Sequence, residues 1–219
     1  MNTNILEELK KINFKDEKGK IKYVDKSSSW AIWENDDDKK NEFGEEILCD
    51  ANVKMIDDLK PEVINQLYIF VGLNPSSEIS DENVSWSSFH KNGSNDKYLK
   101  YALYNTRFWG SYITDAIKTK YTGNSKELTK NINENEETLE INFEIFKKEL
   151  ECFENSGFKP KLIAMGGKAF DILKKYNRKL GQNYDIYQIK HYSSLQYKKI
   201  SEESKMIYRR EVLEELEKI

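Results

Sequence analysis

The chain is poor in cysteine and histidine, has no surplus of positive charge, and has no long apolar run. Its two cysteines, Cys49 and Cys152, are too few for a disulfide framework, a four-cysteine zinc site or an iron–sulfur cluster. They read as reduced, partly buried thiols. Only two histidines are present, His90 and His191, and either can be an ordinary satisfied side chain. The formal net charge is −3 with a pI near 5.7, which argues against binding nucleic acid through bulk charge but leaves room for a local basic face. No segment reaches the ~18 apolar residues of a membrane span. The opening "MNTNILEELKKINF" lacks the apolar core of a signal peptide. A cytoplasmic protein without membrane contact is expected.

What is present is enough to fold. The chain is 219 residues long, 38% hydrophobic and 12% aromatic, with 33% charged residues. That length suits one domain with an elaborated edge, and the aromatic content argues against disorder. No internal repeat occurs. Two polar stretches, "ENDDDKK" at 34–40 and "NSKELTKNINENEET" at 124–138, read as a charged loop and a long surface excursion.

The N-terminal region, 1–65, reads as an elaboration of helix, then strand or hairpin ("KIKYVDKSSSWAIWE"), then helix up to Pro61. From residue 66 to 200 a sharper pattern follows. "LYIFVGL" (67–73) and "KLIAMGG" (161–167) are continuous apolar runs of strand length, as expected of a sheet covered on both faces. "GSYITDAIK" (110–118) and "YDIYQIK" (184–190) are further strands. Between them lie helical stretches at 95–109, 139–153 and 168–177, the second with Leu139, Phe143, Phe146, Leu150 and Phe153 at steps of four and three. A closing helix occupies 201–219. Strand alternating with helix predicts an α/β fold, a three-layer α/β/α sandwich around a mostly parallel four-stranded sheet, with an N-terminal helix/strand extension.

That topology has a chemical consequence. Parallel strands deliver their carboxyl tips to one edge, where open α/β sheets bind ligands. The residues just past the tips here are Asn74 and Pro75, Thr114 and Asp115, Gly166 and Gly167, and His191 with Ser193. Each has an ordinary alternative. Asn–Pro starts turns, and paired glycines join strands to helices as often as they bind anions.

The order of these tips resembles the uracil-DNA glycosylase superfamily. There a first strand ends in Gly–x–x–Pro, written Gly–Ile–Asn–Pro in the mispair-specific branch; here it is Gly72-Leu73-Asn74-Pro75. The family's last motif, His–Pro–Ser–Pro–Leu or similar, is matched by His191-Tyr192-Ser193-Ser194-Leu195. Between them stand Thr114-Asp115 with Lys118, and "LIAMGGKAF", so the resemblance covers roughly residues 67–195.

The resemblance implies a monofunctional DNA glycosylase that needs no cofactor or metal, acts as a monomer, and removes a uracil-like or modified base from DNA during base excision repair. Asn74 would hold the attacking water, which needs position more than a strong base. His191 would donate a hydrogen bond to the departing base. Gly72, Leu73, Pro75, Phe89 and Asp115 would form the base pocket, with Phe89 stacking on the base and Trp86, His90 and Trp109 near it. Asp115 replaces the family's asparagine; as a carboxylate it only accepts, so it suits N3–H and not O4. Leu195 would wedge into the gap left by the flipped nucleotide. Ser76, Ser77, Gly167, Lys168, Ser193 and Ser194 would contact phosphates. Tyr192 in place of proline would loosen the last loop. Lys118, Lys120, Lys168, Lys190, Lys198 and Lys199 form a candidate basic rim. The same pocket could instead hydrolyse free nucleotides, or bind a nucleotide or modified base without catalysis.

Overall fold

The computed structural model describes residues 4–33, 59–80, 82, 84–90, 95–181, 183–193 and 202–219. Its centre is β4 (Asn65–Gly72), whose residues from Tyr68 onward are buried. Parallel neighbours flank it: β5 (Ser111–Asp115) on one side and β6 (Lys161–Met165) on the other, with β7 (Ile186–Ile189) parallel to β6. The expected four parallel strands are therefore present. A fifth, β3 (Ser29–Trp30), pairs antiparallel with β5 at the edge, giving the order β3-β5-β4-β6-β7.

Alternation along the strands builds two cores. Ile69 and Val71 of β4, Tyr112 of β5, and Leu162 and Ala164 of β6 face α1 (Ile5–Lys11), α4 (Ser125–Glu134), α5 (Glu136–Asn155) and α6 (Gly167–Lys179). Tyr68, Phe70, Ile113, Ile163 and Met165 face α3 (Asp96–Leu103) and α7 (Glu202–Leu216). Uninterrupted apolar runs are what a sheet covered on both faces requires. The result is a three-layer α/β/α sandwich. No helix among the described residues is long and apolar enough to cross a membrane.

Three expectations need correction. The 124–138 stretch is not a surface excursion. Asn124 caps a ten-residue helix by accepting from the Lys126 and Glu127 amides, and Leu128 and Ile132, one turn apart, are 1% and 5% exposed. One buried pair with a good cap suffices to dock it. The N-terminal segment is woven into the domain: β1 (Asn13–Lys15) and β2 (Ile21–Tyr23) form a hairpin, α2 (Val24–Ser27) follows, and Trp30 on β3 is fully buried. The helix expected up to Pro61 lies partly outside the described residues; the described part is a 3-10 turn at Pro61–Val63 running straight into β4.

The chain leaves β4 toward β5 and leaves β6 toward β7. The strand order thus reverses between β4 and β6, which opens a crevice at their carboxyl ends.

Candidate functional site

Asn74 stands at the mouth of that crevice with its amide fixed. Both Nδ2 hydrogens are committed, donating to the Pro75 carbonyl at 2.8 Å and the Thr122 carbonyl at 2.9 Å. The amide cannot flip without losing both bonds, so Oδ1 is directed as an acceptor and takes no hydrogen bond from a described residue. The tip itself is tied down by the Ala116 and Ile117 amides, which donate to the Gly72 and Leu73 carbonyls at 2.9 Å each.

The β5 tip carries Asp115 above a buried polar network. Lys118 Nζ donates to the Asp115 backbone carbonyl and to Glu149 Oε2, both at 2.6 Å. Glu149 Oε1 accepts from Thr114 at 2.8 Å and from Tyr112 at 2.7 Å. Lys118 and Glu149 are 1% and 0% exposed. Lys118 is therefore a strut beneath the site, not part of a basic rim.

The Asp115 carboxyl lines the cleft, is 4% exposed, and makes no hydrogen bond to a described residue. Burial pushes its pKa up to about 7; Lys118 opposes that rise, while Glu149 and Asp96 add to it. At neutral pH the acid and the carboxylate are therefore both populated; the acid form donates through O–H and accepts through C=O. The accept-only expectation holds for the carboxylate form alone. Gly72 is needed directly beneath it, because a Cβ there would collide with Asp115 Oδ1.

His191 follows β7. Its Nδ1 accepts from the Ser193 amide at 3.0 Å, which places the proton on Nε2. Burial lowers its pKa to about 4, so the ring is neutral at physiological pH. Tyr192 stacks on it with ring centroids 4.5 Å apart and planes 27° from parallel. Tyr192 is itself 7% exposed and packs into the core on the α3–α7 side of the sheet. Instead of loosening the loop it anchors it, because a buried aromatic fixes the backbone that carries it. Gly166, at φ +95°, lets the chain turn into α6 with the His191 Cβ only 3.3 Å from where a Cβ on residue 166 would sit.

These tips enclose a cleft of two lobes that share Asn74, Ser76, His191 and Ser193. The deep lobe, about 190 Å³, is also lined by Pro75, Ser77, Phe89, Asp115 and Tyr192. The outer lobe, about 390 Å³, adds Leu73, Thr122, Gly166, Gly167 and Lys168, and so includes the amino end of α6. The expected catalytic pair, three of the expected base-pocket residues (Pro75, Phe89 and Asp115) and most of the expected phosphate-binding residues are brought together, whereas Leu73 lines only the outer lobe and Gly72 lies beneath Asp115 outside both linings. Ser194, Leu195, Lys198 and Lys199 lie outside the described residues.

Other expectations fail. Trp86 packs on Trp30 and Tyr112 within the core. His90 hydrogen-bonds the Trp30 carbonyl at 3.1 Å and lies against Trp33, which also contacts Trp109. None of these three lines the cleft. Lys120 pairs with Glu17 at 3.3 Å and Lys190 with Glu211 at 2.7 Å, so of the described rim lysines only Lys168 remains at the cleft, donating to the Ser125 carbonyl at 2.6 Å. Glu78, Asn95, Asp96 and Thr122 line the cleft without having been expected there. Nothing local marks them: Asp96 reads as a helix start, and Thr122 acts through its carbonyl. Among the described residues, no group of three or more His, Cys, Asp or Glu is placed to hold a metal ion.

The class these features define is an α/β/α protein with a partly buried, neutral-histidine cleft at the switch point of a parallel sheet. No protein-family model matches the chain, and no curated protein matches it in sequence.

Proposed function

We infer that the cleft is an N-glycosidic hydrolysis site and that the protein is a monofunctional DNA glycosylase acting on a uracil-like or modified base. The observation that carries this reading is the locked amide of Asn74. Its two N–H groups are spent on backbone carbonyls, so Oδ1 offers a fixed acceptor to a water in the cleft that also holds His191.

The chemistry follows from the geometry. A flipped nucleotide places its base in the deep lobe beside Phe89 and Asp115 and leaves its sugar near Asn74. As the N-glycosidic bond breaks, its electron pair passes to the base. The neutral His191 Nε2–H donates to the base oxygen on which that charge collects, and a neutral donor there does not have to lose a proton to act. The water held by Asn74 attacks C1′ of the oxocarbenium-like sugar, and its proton leaves to solvent. Positioning is sufficient because the sugar cation is a strong electrophile.

Asp115 sets the base edge. As a neutral acid it presents one donor and one acceptor, the complement of a lactam edge such as O4 with N3–H. Among the described residues, the lining of the deep lobe contains no lysine or arginine, so a phosphate there finds no cation among them to pair with. A free nucleotide would have to place its phosphate in the outer lobe, by Gly167 and Lys168.

The test is a single-turnover assay on single- and double-stranded oligonucleotides carrying uracil, mispaired thymine, hypoxanthine, xanthine or modified pyrimidines, scored as alkali-labile abasic sites. A drop of roughly 10²–10³-fold in rate is expected for His191→Ala, the size of removing one oxyanion donor, with a comparable drop for Asn74→Ala. A folded wild-type protein that releases no base from any of them refutes the reading.

A further inference from the structure

A groove of about 400 Å³ lies between α4 and α6. Its rim carries Lys168, Lys174, Lys175 and Arg178, with Asp171 the one acidic group in the lining. These positions recur every three or four residues, so they form a single stripe down the helix. The floor is apolar, made by Ile132 of α4 and Ile172 of α6, 5% and 7% exposed.

Three features set this stripe apart from an ordinary solvated helix face. First, it concentrates positive charge on a chain whose net charge is −3. Second, its cations are idle. Lys174, Lys175 and Arg178 are exposed and form no ion pair with any described residue; Lys174 merely lies over the Phe170 ring at 5.0 Å. Elsewhere on the surface Lys10, Lys11, Lys18 and Lys20 are paired with glutamates, while Lys15, Lys126 and Lys148 also form no ion pair with a described residue; what distinguishes the groove is that its cations share one helix face. Third, the groove is continuous with the cleft, because Lys168 lines both.

We propose that this groove is the phosphate track for the nucleic-acid strand whose nucleotide enters the deep lobe. The assignment rests on the glycosylase reading of the cleft, and it adds the path of the strand beside the flipped base. From Lys168 to Arg178 the stripe runs about 15 Å at 1.5 Å per residue, enough to face more than one consecutive phosphate of a strand. The apolar floor suits sugar rings between the charges. The cation-rimmed track reads charge and not sequence, so it supplies affinity without specificity.

The test uses the full chain and fluorescent single-stranded and duplex oligonucleotides that carry no modified base, titrated by anisotropy from about 50 to 200 mM salt. The variant is Lys174→Gln/Lys175→Gln/Arg178→Gln, which leaves Lys168 intact. The expected result is binding weaker by roughly tenfold or more and a salt slope shallower by about 2, a little under one for each phosphate that is no longer neutralised. Single-turnover base release at saturating protein should stay as in wild type. Unchanged affinity and slope in the variant overturn the proposal, as does wild type that binds polyglutamate or anionic vesicles as tightly as nucleic acid. The two readings fail separately. Base release that persists while the variant binds like wild type sinks the track alone. A groove-dependent salt slope with no base released from any substrate sinks the glycosylase alone.

Discussion

The deep lobe and the α4–α6 groove are neighbours with opposite construction. In the lobe the reactive polar groups are partly or fully buried and each is positioned by another: Asn74 by two carbonyls, His191 by the Ser193 amide and the Tyr192 ring, and the Asp115 backbone by Lys118. In the groove the cations at 174, 175 and 178 are exposed and unpaired with any described residue, on a helix that folds without them. The lobe is acidic and the groove is basic. Low dielectric and fixed geometry make the lobe's groups selective, whereas high dielectric makes the groove's charges salt-sensitive and tolerant of sequence. Substitutions in the lobe's supporting shell should therefore cost stability, and those in the groove should cost only affinity.

The largest effect should come from the strut beneath the lobe. Removing one partner of the buried Lys118–Glu149 pair strands the other: Lys118→Met leaves the Glu149 carboxylate with the Tyr112 and Thr114 hydroxyls, and Glu149→Ala leaves the Lys118 ammonium with the Asp115 carbonyl and the Phe146 ring. A loss of about 3–5 kcal/mol is expected in urea or thermal unfolding. A loss below about 1 kcal/mol, the range of a surface pair, would mean that the pair is not buried as described, and the contrast with the groove would collapse.

Asp115→Asn should act next, and in the opposite direction. A carboxyl whose folded pKa of about 7 lies above its ordinary 3.8 favours the fold when protonated, so wild-type stability falls as pH rises from about 4 through about 7 and is flat beyond. The asparagine escapes that penalty. The variant should match wild type near pH 4 and exceed it by roughly 2–4 kcal/mol above pH 8. Activity gives the same sign. Release of a lactam base by wild type should decline above pH 7 as Asp115 ionises, whereas in the variant it should stay level, because His191, with its pKa near 4, does not titrate in that window. A wild-type profile flat from pH 6 to 9 would show that Asp115 does not read the base.

The strands and the edge they define are legible in the sequence because central parallel strands must be apolar on both faces, and 67–73 and 162–165 are. The tip residues follow from topology. What is not legible depends on partners far along the chain. The orientation of the Asn74 amide is set by the Thr122 carbonyl, and no local pattern announces a carbonyl 48 residues away. Lys118 reads as rim charge because its spacing from Asp115 permits either direction; only Glu149, late in the twenty-residue α5, decides that it points inward. Helix α4 is hard to see because the buried side chains among its described residues, Leu128 and Ile132, make a weak period. The sequence misleads at Tyr192 because the absence of a proline says what the loop lacks and not what the tyrosine gains by burial in the core and stacking on His191.

Gly166→Ala should give a smaller effect at the boundary between the two regions. At φ +95° any side chain is strained, and the new methyl would sit 3.3 Å from the His191 Cβ. About 1–2 kcal/mol of destabilisation is expected. A modest fall in rate should accompany it, because the imidazole must shift to make room. If the rate is untouched while stability falls, the placement of His191 is more forgiving than the lobe's packing implies.

The smallest effect belongs to the groove. Lys175→Gln removes an exposed cation with no partner among the described residues, and stability in thermal unfolding should stay within the span of about 0.5 kcal/mol typical of surface changes. Arg178 sits in the last turn of α6, where a cation favours the helix dipole, so Arg178→Gln should cost up to about 0.5 kcal/mol more. Those near-zero values give the groove its meaning. A stripe of like charges on one helix face repels itself slightly, and apart from the small dipole effect at Arg178 it contributes little to the fold. Its expected contribution is to what binds beside the cleft, so stability should stay flat while the salt dependence of nucleic-acid binding moves. A groove cation whose removal unfolds the protein would instead belong to the architecture, and the division between a structural lobe and a ligand-facing groove would have to be redrawn.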